Sequence, residues 1–225
     1  MTANEPLNIP EIEVSDKITT QEYAYRRLRN AILVGAFQPG RALTIHGLAD
    51  ALALSQTPIR ESIRRLSSEN ALEVLGNRRL KIPEMTLEKL QELIDIRILL
   101  ETYAGKSALP YICDIIIDSM QAMDDDMDVA IEAGDIDQLN KLNQQFHKML
   151  HCSNPRQVVM PLIESIWLQL GPFHRQLIEK VDDYYHVDRH KEILSALRRR
   201  DASSLETALK HDIKDGILSR GRLLL

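Results

Sequence analysis

The stretch SQTPIRESIRRL, Ser55–Leu66, carries three helix signals in register. Ser55 is of a type that caps a helix N-terminus, and Thr57-Pro58 fall in the first turn, where a proline's missing N–H is not needed. Ile59, Ile63 and Leu66 form one apolar seam, while Gln56, Thr57, Arg60 and Arg64 lie on the other side. Working outward, Thr19 or Thr20 starts an earlier helix with Tyr23, Leu28, Ala31, Ile32 and Leu33 as its apolar positions. It stops at Gly35, before the turn FQPG, Phe37–Gly40. A short helical pattern, Ile45–Leu52, precedes ALSQ and the helix Thr57–Glu69. LEVLGNRRLKI, Leu72–Ile82, then reads as two brief strands around Gly76-Asn77. Three helices and a hairpin in this order are the plan of a winged helix.

Charge separates this segment from the rest. Residues 17–82 hold eleven Lys/Arg and five Asp/Glu, 11 − 5 = +6. The remainder holds seventeen and twenty-eight, 17 − 28 = −11, and the two sum to the net −5. A basic segment joined to an acidic one predicts that only the first meets phosphates. Residues 1–16, with Pro6 and Pro10, predict a disordered arm, residues 17–84 a winged helix-turn-helix, and residues 85–225 a second domain. Two separated cysteines, Cys113 and Cys152, suggest neither a disulfide framework nor a cysteine zinc motif. An acidic, polar start and no bilayer-length apolar run predict a cytoplasmic protein without membrane partners.

From Thr86 strand signals vanish, and helical patterns cover 86–107, 111–133, 136–152, 156–179, 183–199 and 203–222. Pro161 and Gly171-Pro172 should kink or split the fourth, and Ser203…Glu206 has capping-box spacing for the last. The fold class is therefore mainly α: a winged helix-turn-helix followed by an all-α bundle of six to seven helices.

SQTPIRESIRRL resembles the recognition-helix signature of GntR regulators, and AILVGAFQPGRALTIHGLADAL, ahead of it, resembles that family's first two helices. The resemblance covers about residues 19–82. It implies a homodimer on a palindromic double-stranded operator, contacted through His46, Ser55, Gln56, Thr57, Pro58, Arg60, Arg64, Arg78 and Arg79. A guanidinium such as that of Arg60 can bind guanine O6 and N7 bidentately, and Gln56 suits adenine or a phosphate. Alternatively, Arg60, Arg64 and Arg65 solvate the helix or pair with Glu61 and Glu69. Where the family usually has glycine near the wing tip, Arg79 stands, and with Arg78 it could reach phosphates or a narrow minor groove.

The second half resembles the FCD sensing domain of the same family in IDIRILLETYA (Ile94–Ala104), LNQQFHKML (Leu142–Leu150) and DRHKEILSALRRRDASSLETALKHDI (Asp188–Ile213). That resemblance implies control of operator binding by an effector, most commonly release of repression, and in many members a divalent metal on three histidines and an acid. By position the ligands are His147, His190 and His211, with Asn143 in place of the acid. Three imidazoles suit zinc or nickel; three core histidines bonded to carbonyls or water are the alternative.

Asn143 and His147 share a face with Leu139 and Leu150, and His190 lies on the line of Ile193, Leu194 and Leu197. His211 sits off the stripe of Leu205, Leu209, Ile213 and Ile217. Arg97 and Glu101 share an apolar face, so Arg97 either binds the carboxylate of a small effector or forms a structural ion pair. His174, Trp167 and Tyr185 are candidates for the pocket wall. A metal-dependent hydrolase lacks a general base or nucleophile motif here. A constitutive DNA-binding protein would leave the inward histidines idle.

Overall fold

The computed structural model describes residues 7–13, 17–76, 79–180 and 189–225. The chain divides into two compact units, Met1–Met85 with Trp167–Gln176, and Thr86–Ile166 with Leu177–Leu225.

In the first unit, Thr19 caps α1 (Thr20–Leu33), its hydroxyl accepting from Glu22 N at 3.2 Å. Strand β1 (Ala42–Thr44) leads into α2 (Ile45–Ala51), and Thr44 caps it through Gly47 N at 3.0 Å. Ala53 then takes a left-handed φ of 52°, ending α2 so that α3 (Gln56–Ser68) can start after only a few residues. Strands β2 (Glu73–Leu75) and β3 (Arg79–Lys81) complete an antiparallel sheet of order β1-β3-β2. Leu80 pairs with Leu43 on one side and Val74 on the other. The core gathers Leu28, Ile32, Phe37, Leu48, Ile59, Leu66, Leu80 and Ile82. β1 was not foreseen, because three residues are too few to show an alternation.

Ile9 departs from the expected disordered arm. Its side chain is buried in this core, and its carbonyl accepts from the Arg27 guanidinium at 3.0 Å. An isolated isoleucine gives no periodic signal, so only packing reveals the contact.

In the second unit, Thr86 caps α4 (Leu87–Ala108), and α5 (Asp114–Ala133) ends at Gly134 with φ 66°. Asp135 caps α6 (Ile136–Cys152), which is followed by α7 (Met160–Lys180), whose stretch Trp167–Gln176 groups with the first unit, and by α8 (His190–Arg198). α9 (Ala202–Ile213) passes through a π-turn, Lys214–Leu218, into α10 (Ser219–Leu224). Phe146, Leu150, Ile193, Leu197, Leu205 and Leu209 fill the core with Ile117 and Met120 of α5.

Two sequence expectations are revised. α7 is one helix with Pro172 inside it, so the proline does not split it in two. α9 is capped by Asp201, which accepts from the Ser203 and Ser204 amides at 3.0 and 3.1 Å, while Glu206 pairs with Lys106 and Lys210 instead of closing a capping box.

Candidate DNA interface and metal centre

The polar side of α3 is the candidate DNA face. Gln56, Thr57 and Arg64 are exposed and Arg60 is half-buried, whereas Pro58 turns inward with Ile59, Ser62, Ile63 and Leu66. Pro58 therefore contributes helix-starting geometry and not an exposed contact. Ser55 is exposed and occupies the N-cap position without a side-chain cap hydrogen bond.

Local carboxylates engage most of the nearby arginines: Arg26 and Arg65 meet Glu22 at 2.7 and 2.9 Å, and Arg64 meets Glu61 at 2.9 Å. Arg65 also lies over the Tyr25 ring, 3.4 Å from its centroid. Arg60 differs. Among the described residues it meets no carboxylate, and its Nη2 donates to Gln56 Oε1 at 3.1 Å. A guanidinium oriented by a neighbouring amide keeps most of its donors for a base edge. His46 is exposed beside Asp50 at 3.3 Å. Arg79 is exposed within β3, opposite Thr44 and Leu75, so it stands in the sheet and not at the tip. Arg78 lies outside the described residues.

In the second unit a row of buried polar groups crosses five helices. α6 presents His147 and His151 one turn apart, 1% and 0% exposed. His147 Nε2 is 3.3 Å from Asp212 Oδ2 on α9, and His190, the first residue of α8, places Nε2 at 3.8 Å from Asp212 Oδ1. The other nitrogen of His190, Nδ1, meets Asp124 Oδ1 of α5 at 3.1 Å. Beyond His147, His151 Nε2 meets Glu101 Oε2 at 3.1 Å, and Arg97 Nε donates to Glu101 Oε1 at 2.5 Å.

The electrostatics follow from burial. Desolvation, then the neighbouring His190, pushes the His147 imidazole well below its ordinary range and keeps it neutral. Burial alone would raise the Glu101 carboxyl, but Arg97 and the His151 hydrogen bond hold it well below the ordinary carboxylate range.

Two ligand groups result, His147/His190/Asp212 and Glu101/His147/His151, each with its donor atoms within 4.8 Å of one another. The first fits a divalent ion better. Its imidazoles come from separate helices, and His147 Nδ1 is a buried atom without a hydrogen-bond partner among the described residues. The second already has its carboxylate neutralised by Arg97.

His211 does not join either group. Its side chain is half exposed, 3.9 Å from Glu192, and Asp212 one residue later takes the inward place. On α9 the inward residues are Leu205, Ala208, Leu209 and Ile213, so position 212 continues the line from 208 and position 211 leaves it. Asn143 is half-buried one turn before His147. Trp167 and His174 fall in Trp167–Gln176, which groups with the first unit and not with the histidines. Tyr185 lies outside the described residues.

The family model for bacterial regulatory proteins of the gntR family matches residues 20–82, and that for the FCD domain matches residues 92–215, more than half of the chain. The chain belongs to the GntR family. It is a transcriptional regulator with a DNA-binding winged helix and an FCD domain, and its relatives and fold are those of regulators and not of enzymes. Among similar proteins is the HTH-type transcriptional regulator McbR of Escherichia coli K12, 28% identical over 193 residues, covering 84% of this chain and 87% of that one. The gluconate operon transcriptional repressor of Bacillus subtilis is 25% identical over 227 residues, covering 96% and 90%. The solved structure of E. coli McbR/YncC superposes with a TM-score of 0.85 at 25% identity, covering 92% of this chain and 100% of that one.

Within this GntR chain, sequence reasoning missed His151, Asp124 and Asp212. Each left a signal: His151 is four residues after His147, Asp124 interrupts the buried row Ile117, Met120, Met127, and Asp212 lies four after Ala208. No described helix is long and apolar enough to cross a membrane.

Proposed function

We propose that this regulator is a repressor that binds a palindromic operator as a homodimer, and that a small carboxylate effector controls it through a divalent ion held by His147, His190 and Asp212, with Asn143 beside them. The observation that carries the reading is one donor set drawn from three helices, α6, α8 and α9, with both imidazoles buried and Asp212 partly so. A bound ion would cross-link those helices and offer open coordination positions to a carboxylate. With two imidazoles and a carboxylate, and zinc or nickel as the favoured ions, ligand binding acts on the helix arrangement only if the ion's site differs between the DNA-bound and free states.

The test is elemental analysis and zinc titration of the full chain against a His147→Ala/His190→Ala variant. About one ion per chain is expected in the wild type alone. Chelation should lower the melting temperature, since an ion at 100 times its dissociation constant stabilises the folded state by about 2.7 kcal/mol. Equal, near-zero metal in both proteins would sink the metal centre.

The dimer reading rests on α4. Ile96, Leu99 and Tyr103 form an exposed stripe, Leu99 at 70% and Tyr103 at 59%, with Glu92 and Asp95 on its N-terminal side and Lys106 on its C-terminal side. In an antiparallel pairing about a two-fold axis at Leu99, Leu99 meets Leu99 and Glu92 faces Lys106 of the second copy, with Ile96 within one position of Tyr103. The patch is thus self-complementary, as an isologous interface requires. Leu99→Glu should convert the dimer to monomer in sedimentation and weaken operator binding; an unchanged dimer would move the interface elsewhere.

A further inference from the structure

Asp124 is a buried carboxylate in an apolar row of α5, 2% exposed, with Ile117, Met120 and Met127 as its inward neighbours. Its flanking acids, Asp125, Asp126 and Asp128, are all exposed. A carboxylate placed there must be held by a specific partner, because burial without one is strongly unfavourable. The partner is His190, whose Nδ1 lies 3.1 Å from Asp124 Oδ1.

A carboxylate is acceptor-only when ionised, so this contact places the imidazole proton on Nδ1. The lone pair is then on Nε2. That atom faces Asp212 Oδ1 at 3.8 Å, and the His190 ring lies 5.3 Å, centroid to centroid, from that of His147. Phe146 backs the same ring at 4.3 Å between centroids, fixing its plane.

We infer that Asp124 is a positioning residue for the metal centre: it fixes the tautomer and orientation of His190, so that Nε2 is presented as a donor beside His147 and Asp212. The inference rests on the metal reading proposed above, and adds to it a residue that never touches the ion. A carboxylate behind a ligating imidazole also raises that imidazole's basicity, and loss of such partners weakens metal binding about 10- to 100-fold. A merely structural Asp124 would matter for folding and leave metal affinity alone.

The test is zinc affinity of the full chain, measured by competition with a chromophoric chelator, for wild type, Asp124→Asn and His147→Ala/His190→Ala. The expected result is tight binding by wild type, about 10- to 100-fold weaker binding by Asp124→Asn, and none at this site in the double variant. A cobalt-substituted Asp124→Asn protein should keep the wild-type coordination spectrum, showing the same ligands held less well. Wild-type affinity in Asp124→Asn would overturn the positioning role while leaving the metal centre intact. Equal binding by wild type and the double variant would overturn both. Should Asp124→Asn fail to fold, long-range nitrogen–proton correlation on the metal-free wild type decides: an Nδ1-protonated neutral His190 supports the role, and an Nε2-protonated ring overturns it.

Discussion

Glu101→Ala should destabilise the helical unit by about 3–5 kcal/mol, the loss expected when one member of a buried ion pair is removed and the other stays behind. Glu101 is wholly buried, Arg97 is 8% exposed, and both lie on α4. The substitution would remove the carboxylate to which Arg97 Nε donates and also withdraw the acceptor facing His151 Nε2. The coupling can be separated from the cavity by a double-mutant cycle. In a cycle of wild type, Arg97→Met, Glu101→Leu and Arg97→Met/Glu101→Leu, the double variant removes both charges at similar volume and should recover most of the loss, because apolar replacement of a whole buried pair is often neutral. Denaturant unfolding of the four proteins measures this. Additive effects in that cycle would mean that the pair does not act as a unit.

Arg60→Ala should weaken binding to an operator obtained by selection from a random duplex pool by about 1–3 kcal/mol, and relax the preference at one position in each half-site. Arg64→Ala should do less, since Arg64 is already paired with Glu61 at 2.9 Å. The contrast separates a base reader from a general positive charge. A phosphate contact would lower the salt dependence and weaken all sequences alike, whereas a base contact changes the ranking among them. Fluorescence anisotropy on variant duplexes across a salt series reads both. Unaltered affinity and ranking for Arg60→Ala would remove α3 from its assigned role.

The winged helix was legible because its signals are local. A capping threonine, Pro58 in a first turn and the seam Ile59, Ile63, Leu66 depend only on neighbours in sequence. The bundle's helices were legible for the same reason, through punctuation such as Gly134 and Asp135. The histidine–carboxylate cluster was half legible. His147 and His190 lie on apolar lines of their own helices and could be read as inward. For α9 the periodicity and the family likeness disagreed. The likeness gave His211, which the apolar stripe left outside, and the inward carboxylate is that of Asp212, one residue on. Asp124 was invisible as a partner because its contact with His190 spans 66 residues, and an acid beside Asp125, Asp126 and Asp128 in sequence reads as surface. Ile9 illustrates the same limit, since its burial depends on residues far along the chain.

The π-turn after α9 has a bearing on how this chain can tolerate change in length. Lys214–Leu218 accommodates one residue more than an α-helical turn would, with Ile213 buried before it and Ile217, Leu218 and Gly221 buried in and after it. Deleting a residue inside α4 would rotate everything beyond it by about 100°, turning the buried face outward. Deleting Gly216 would instead draw the wide turn into an ordinary α-helical one, and both flanks would keep their faces. The C-terminal helix thus carries a built-in slack of one residue, next to the position that supplies Asp212.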